Sequence, residues 1–254
     1  MQVRVLGCSG GIGARARTTS FLVDHDILLD AGTGVEDLDL EALARIDHVF
    51  LTHSHLDHIA ALPVLVDSAG GLRSSPLVVH ALPETIAALR AHIFNWVIWP
   101  DFTTIPQPDR PWMVFEPIAL DQVVTLDGRS FRALPANHTV PALGYQVFNE
   151  RAALVFSGDT GPNEELWRIA NTVPQLRYLI VETAFPDSDH ELAVASRHLH
   201  PALLAEGLAS LRRDVQVLVT HLKPSDRQTI ARELAAGAGL HVPRLLERGD
   251  LFEL

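Results

Sequence analysis

The segment His53-Ser54-His55-Leu56-Asp57-His58 puts four potential metal ligands into six positions, directly after the apolar run Val49-Phe50-Leu51. Whatever fold this chain adopts must end a strand where imidazole and carboxylate groups converge. On extended backbone, residues two apart share a side, so His53 and His55 face one way; a turn after them lets Asp57 and His58 face a second ion. Imidazole nitrogen and carboxylate oxygen are ordinary zinc ligands, and two ions about 3.5–4 Å apart can clamp both the entering and the leaving oxygen of a displacement. A lone His is ordinarily a surface or satisfied core residue, but three with an Asp at this spacing point to a metal pair.

Further ligands are expected from isolated His and Asp residues at the ends of other apolar runs. His138 follows Phe131-Arg132-Ala133-Leu134, Asp159 follows Ala153-Leu154-Val155-Phe156-Ser157-Gly158, and His221 ends Val215-Gln216-Val217-Leu218-Val219-Thr220. Each stands where a β pattern gives way to a loop, where a rigid scaffold presents chemistry. Singly, each reads as a cap or turn former; beside the six-residue cluster they read as ligands.

The ordered pattern HxHxDH, then His, then Asp, then His resembles that of the metallo-β-lactamase superfamily, met here by His53, His55, Asp57, His58, His138, Asp159 and His221. The resemblance spans nearly the whole chain. It implies an α/β fold, a four-layer αββα sandwich, with His53, His55 and His138 on one divalent ion, Asp57, His58 and His221 on the other, and Asp159 bridging them. Zinc is favoured by ligand chemistry, with Mn²⁺ or Fe²⁺ as alternatives. The stretch His53 to Ile59 with the apolar segment ending near Asp67-Ser68-Ala69, the stretch His92 to Phe102, Thr220-His221-Leu222-Lys223-Pro224 and Leu6-Gly7-Cys8-Ser9-Gly10-Gly11 are similar to the class II cyclic-nucleotide phosphodiesterases. Ala61 and Pro63 depart from that pattern without touching the ligands. This finer resemblance implies hydrolysis of the 3′,5′-cyclic phosphodiester of cAMP or cGMP. The alternatives are another hydrolase of the same fold, such as an RNase Z-like enzyme, another phosphodiesterase, a lactonase or a β-lactamase, or a binding protein that has lost turnover.

Charge separates some of these. Nucleic-acid binding draws on Lys and Arg to neutralise phosphates, whereas this chain has 20 such residues against 31 acids, a net charge of −11. A polyanionic polymer is disfavoured; a cyclic mononucleotide carries a single phosphodiester charge that the ions and a few donors offset. At 254 residues and 47% hydrophobic content the chain can bury a large core, and residues 1–254 read as one hydrolase domain. Cys8 is the only cysteine, which excludes an internal disulfide and thiolate metal sites. No signal peptide and no apolar run of about 18 residues is expected, so the reading is cytoplasmic with no membrane contact.

Strand patterns run over Val3 to Leu6, Ser20 to Val23, Ile27 to Leu29, His48 to Leu51, Val123 to Leu126, Phe131 to Leu134, Tyr145 to Phe148, Ala153 to Phe156, Tyr178 to Val181 and Val215 to Val219. Helices are expected at Leu40 to Ala44, Ala60 to Val66, Pro83 to Phe94, Glu164 to Ile169, Pro201 to Leu211 and Ser225 to Ala236. From Pro100 to Pro117 the prolines at 106, 108 and 111 read as too dense for regular structure, which makes this segment the expected mobile one. Gly7-Cys8-Ser9-Gly10-Gly11 fits a G-x-S-x-G nucleophile elbow, and Gly11 to Ala16 a loose dinucleotide loop. The β-like Thr18 to Val23 follows too soon for a crossover helix, so a tight turn between strands is preferred.

His198, before Pro201 and after Glu182-Thr183-Ala184-Phe185, resembles the His that meets the phosphate in phosphodiesterase branches; the competing reading is a His at a helix end. Glu182 would orient it. Asp57, His198 and Glu182 are therefore the candidates for serving the chemistry. Asn95 and Trp96 are candidates for contacting a base, while Trp96, Trp99 and Phe102 also suit a homodimer interface, with Trp99 leaning that way. His25, His48, His80, His92, His190, His200 and His241 read as surface or structural residues.

Overall fold

In the computed structural model, which describes residues 1–237 and 241–254, period-two alternation along the strands sorts side chains between two different cores. The first half of the chain supplies β1 (Gln2–Gly7), β2 (Ser20–Val23), β3 (Ile27–Leu29), α1 (Leu40–Ala44), β4 (His48–Phe50), α2 (Leu56–Ile59), α3 (Leu62–Ala69), β5 (Leu77–Ala81), α4 (Pro83–His92), β6 (Pro106–Gln107), β7 (Arg110–Pro111) and β8 (Met113–Pro117). The second half supplies β9 (Val123–Leu126), β10 (Arg129–Pro135), β11 (Leu143–Phe148), β12 (Ala153–Phe156), α5 (Glu164–Thr172), β13 (Leu176–Glu182), α6 (His190–Ala195), α7 (Pro201–Leu208), β14 (Gln216–Thr220), α8 (Arg227–Ala236), β15 (Arg244–Leu245) and β16 (Leu251–Glu253).

Two seven-stranded sheets result, ordered β16-β1-β2-β3-β4-β5-β8 and β15-β14-β13-β12-β11-β10-β9. In each, antiparallel strands give way to parallel ones, at β3/β4 in the first and β12/β13 in the second. Parallel neighbours need crossovers, and the helices serve as those connections on the outer faces. Phe21, Val23, Ile27 and Leu29 of the first sheet meet Phe131, Tyr145, Leu154 and Phe156 of the second between the sheets. Their strand neighbours Leu22, Leu28 and Val49 pack with Leu62, Leu65 and Leu89 of α3 and α4, and Val155, Val181 and Val219 pack with Leu166, Leu204 and Ile230 of α5, α7 and α8. Three interlayer cores mean four layers, the αββα sandwich.

Local chemistry fixes the helix starts. Asp39 caps α1 by accepting from the Ala42 N–H at 2.8 Å, and Asn163 caps α5. Pro63, Pro83 and Pro201 lie in first turns, where a missing N–H costs little. Pro63 therefore divides what the sequence suggests is one apolar run from Ala60: α2 ends at Ile59 and α3 begins at Leu62.

The Pro100 to Pro117 segment corrects the expectation of irregular structure. Its prolines border a small β6–β7 hairpin, and β8 pairs in parallel with β5 from Leu77↔Met113 to Ala81↔Pro117. As the last strand of its sheet, β8 tolerates a terminal proline. The sheets are joined at both ends of the sandwich. Arg129, at the start of β10, forks onto Asp26 at the β2–β3 turn, with Nη2 to Oδ2 at 2.8 Å. Burial opposes the charge on Asp26, but the Arg129 fork outweighs it and holds the carboxyl below its ordinary range. At the other end the Tyr145 hydroxyl donates to the Leu51 carbonyl at 2.8 Å and the Leu143 N–H to Thr52 at 2.9 Å. The functional side chains gather at this second end.

Candidate metal centre

All seven expected ligands meet where β4 of one sheet and β10, β12 and β14 of the other run out into loops. His53, His55 and His138 form one group able to hold an ion, and Asp57, His58, Asp159 and His221 another. Asp159 stands between them, its Oδ2 lying 3.8 Å from His53 Nε2, 3.2 Å from His58 Nε2 and 3.3 Å from His221 Nε2. The turn expected after His55 is the short helix α2, which carries Asp57 in its first turn and His58 in its last. His138 Nε2 and His55 Nδ1 face each other at 3.1 Å. His55 thus offers Nδ1 where its two partners offer Nε2.

The far nitrogen of each remaining imidazole is fixed by a group the sequence reading did not select. Asp30, fully buried, accepts from His58 Nδ1 at 2.7 Å and from the Thr52 N–H at 2.7 Å. The Thr52 hydroxyl donates to Asp30 and lies 2.9 Å from His53 Nδ1. His138 Nδ1 donates to the Arg197 carbonyl at 3.1 Å, and His221 Nδ1 lies 3.4 Å from the Thr19 hydroxyl. Holding the proton on Nδ1 leaves the Nε2 lone pair for a metal. Asp30 had a sequence signal: it ends the apolar run Ile27-Leu28-Leu29 as Asp159 ends its own. Backbone conformation marks the site too, since Asp30, Arg197 and His221 have φ of 57°, 52° and 66° in the left-handed region, uncommon for residues other than glycine.

Protonation follows from burial and the two carboxylates. Burial pushes His53 well below the ordinary imidazole range, His138 down to about 4 and His221 down to about 3. Burial also disfavours a charge on His58, but Asp159 on one side and Asp30 on the other outweigh it and hold His58 high. Asp159 is held well below its usual range by the surrounding imidazoles, chiefly His221 and His58, against the effect of its burial. His53, His138 and His221, neutral around an ionised carboxylate, form donors ready for cations, and a cation taking the place of the His58 Nε2 proton would add a fourth imidazole.

Buried polar atoms require partners, and His53 Nε2, His58 Nε2 and Asp159 Oδ1 have none among the described residues. All three point into the cluster, so its donors fit divalent metal ions in number and type.

His198 and Glu182 join the same site. The His198 ring stacks on His221 at 5.3 Å between centroids and lies 5.0 Å from His138, and His138, Asp159 and His198 form a third convergent group. Its Nδ1 is held at 2.7 Å by Glu182 Oε1, which also accepts from the Thr160 N–H at 3.0 Å. Burial opposes protonation of His198, but Glu182 overcomes it and raises the imidazole.

Asn95 and Trp96 stand in the tip that follows α4, where Trp96 is 65% exposed. The Asn95 oxygen accepts from the Val97 and Ile98 N–H groups at 3.0 and 2.8 Å, closing a turn after α4, and its amide donates to the Ala91 carbonyl. Its oxygen is spent on that turn, and one amide N–H remains without a partner among the described residues. Trp99 is half-buried against the outer core beside Phe94, and Phe102 is 1% exposed. Ser9 pairs its backbone with Thr18 and Leu222, and its hydroxyl donates to the Leu222 carbonyl at 3.2 Å, so the Gly-rich opening is a turn between strands. A Cβ on Gly10 would lie 2.4 Å from the His221 carbonyl oxygen, which explains the glycine there. His48 and His80 form a structural pair, their nitrogens 3.1 Å apart and His80 stacked on Phe50. His190, His200 and Asp187 form a structural trio, His200 Nδ1 meeting Asp187 at 2.6 Å.

The family model described as "Beta-lactamase superfamily domain" matches residues 25–222, and the chain belongs to that superfamily. Among individual proteins, it is 26% identical to a "Probable 3′,5′-cyclic-nucleotide phosphodiesterase" of Yersinia pestis, over 98% of this chain and 88% of that one. It is 28% identical to a ribonuclease Z of Clostridium beijerinckii over 59% of this chain, spanning half the length of that relative. The crystal structure of unliganded yeast PDE1 superposes with a TM-score of 0.81 over 100% of this chain and 99% of the other, at 21% identity.

Proposed function

We propose that this protein is a metal-dependent hydrolase that opens the ring of 3′,5′-cyclic nucleotides to give 5′-nucleotides. The observation that carries the reading is a complete ligand cluster with a Glu182-held imidazole, His198, facing into it. His53, His55 and His138 would hold one ion and Asp57, His58 and His221 the other, with Asp159 between them. A divalent pair bound there, zinc by ligand chemistry and Mn²⁺ or Fe²⁺ as alternatives, supplies Lewis acidity toward phosphoryl oxygens and lowers the pKa of water.

The protein's own groups do the rest. Glu182 keeps the proton on His198 Nδ1 and favours the charged ring, so Nε2 can protonate the departing 3′ oxygen as its bond to phosphorus breaks. Asp30 and Thr52 hold His58 and His53 in the tautomer that binds cations. Support for a cyclic mononucleotide over an RNA comes from the net charge of −11, which leaves few cations to neutralise a polyanion, and from the near full-length likeness to the Yersinia pestis protein.

No helix among the described residues is long and apolar enough to cross a membrane. A cytoplasmic setting is part of the proposal, on the ground of the lone, buried Cys8. So is a homodimer, for which the exposed tip Trp96-Val97-Ile98 is the natural contact, at 65%, 85% and 62% exposure.

The test is turnover by the purified, metal-assayed protein on cAMP, cGMP, bis-p-nitrophenyl phosphate, a β-lactam and a precursor tRNA. Release of 5′-nucleotide well above the other activities supports the proposal. Two metals bound with no cyclic-nucleotide turnover refutes it and leaves the fold.

A further inference from the structure

Behind the Gly-rich turn lies a cavity of about 800 Å³ whose charge is opposite to that of the molecule as a whole. Arg15, Arg17, Arg227 and Arg248 all line it. Two carboxylates answer them. Asp37 pairs with Arg17 at 3.4 Å and more closely with Arg248, and Glu247 stands 3.8 Å from Arg227. Arg15 has no carboxylate partner among the described residues, and Arg17 Nε is buried without an acceptor. Four guanidinium groups against two carboxylates leave a local excess of positive charge in a chain of net charge −11.

We propose that this cavity is a second ligand site, distinct from the metal centre, that binds a small molecule carrying two adjacent phosphate groups. Guanidinium forks match phosphate oxygens, and charge-assisted bonds of this kind are among the strongest available to a protein surface. The remaining wall, with Cys8, Leu222, Pro224 and Leu246, is apolar and suits the flat face of a base. The volume falls in the range of ordinary small-molecule sites, about 300–1,000 Å³. Backbone pairing of Ser9 with Thr18 and Leu222 walls the cavity from the metal ligands, and Gly10 packs on the far side of that wall against the His221 ring and carbonyl. The ligand therefore does not share the phosphodiester's place.

The experiment is calorimetric titration of the metal-loaded protein with adenosine 5′-diphosphate and, separately, inorganic pyrophosphate, with metal content assayed after each run. Binding of both identifies the diphosphate as the recognised group, and tighter binding of the nucleotide adds the apolar wall. The doubly substituted Arg17→Gln/Arg248→Gln protein should bind about tenfold more weakly or worse, and Arg227→Gln alone should also weaken binding. Asp37→Asn should tighten it, because that substitution frees two guanidinium groups from their carboxylate. Hydrolysis of bis-p-nitrophenyl phosphate should stay near wild type in all of them. Equal affinity in wild type and the double variant, weaker binding in Asp37→Asn, or simple competition with bis-p-nitrophenyl phosphate at a constant unmoved by the arginine substitutions would each overturn the proposal.

Discussion

Replacing Asp30 by Asn tests whether the metal centre depends on the buried carboxylate behind it. Asp30 accepts from the His58 ring, the Thr52 N–H and the Thr52 hydroxyl, all within 3.1 Å, and is itself fully buried. An amide of the same shape can still accept from Thr52 through its oxygen. Its NH₂ then faces His58 Nδ1, which must accept rather than donate, and the ring proton moves to Nε2, the atom facing Asp159. The second metal position would lose one neutral lone pair. Losing such an outer partner lowers metal affinity by about 10–100-fold, which corresponds to about 1.4–2.7 kcal/mol. The metal-depleted protein should lose a comparable amount, about 1–3 kcal/mol, because the charge-assisted bond from His58 to a carboxylate becomes a neutral one to an amide. Competitive zinc titration against a chromophoric chelator reads the first quantity and thermal unfolding of the stripped protein the second. Two zinc sites of unchanged affinity in Asp30→Asn would show that this carboxylate does not set the tautomer of His58.

Three further outcomes follow from the structure. His198→Gln should lower kcat by about 10²–10⁴-fold while both metals stay bound, and Glu182→Gln should act in the same direction; parallel metal analysis and steady-state kinetics check this, and loss of metal would reassign His198 as a ligand. His80, pushed down to about 4 by burial and then by His48, is neutral when folded but takes up a proton in the unfolded chain below about pH 6.5. Its contribution is therefore present above that pH and lost between about 6.5 and 4, at most about 3 kcal/mol; denaturant unfolding across that window should slope more steeply for wild type than for His80→Gln. Gly158 has φ of +61° and a Cβ there would lie 2.3 Å from the Leu143 carbonyl oxygen, so Gly158→Ala should cost more than about 1 kcal/mol and displace Asp159 next to it, read as a lower melting temperature with weaker metal binding.

The primary metal donors are legible in the sequence because their chemistry is either contiguous, as in His53 to His58, or tied to a local event, the end of an apolar strand, as at His138, Asp159 and His221. The alternation that separates Phe21 and Val23 from Leu22 is likewise local, and it brings with it most of the strands and both faces of each sheet. Strand β5 carries no clear pattern because Leu77 to Ala81 has only three consecutive apolar residues before His80 and no alternation, and β8 because prolines flank it. At Asn95 the sequence shows a polar side chain near the motif but not that its oxygen closes the turn after α4.

What only the tertiary structure decided lies in pairings between loops far apart in the chain. Asp30 reaches His58 over 28 residues, His138 meets the Arg197 carbonyl over 59, and Thr19 lies beside His221 over 202. The arginine-lined cavity likewise joins residues from both ends of the chain. Such contacts carry no local periodicity and no spacing. They exist because strand order within each sheet, and the packing of two sheets on one core, bring loop-bearing strand ends together, and local residue patterns do not encode which loop will face which.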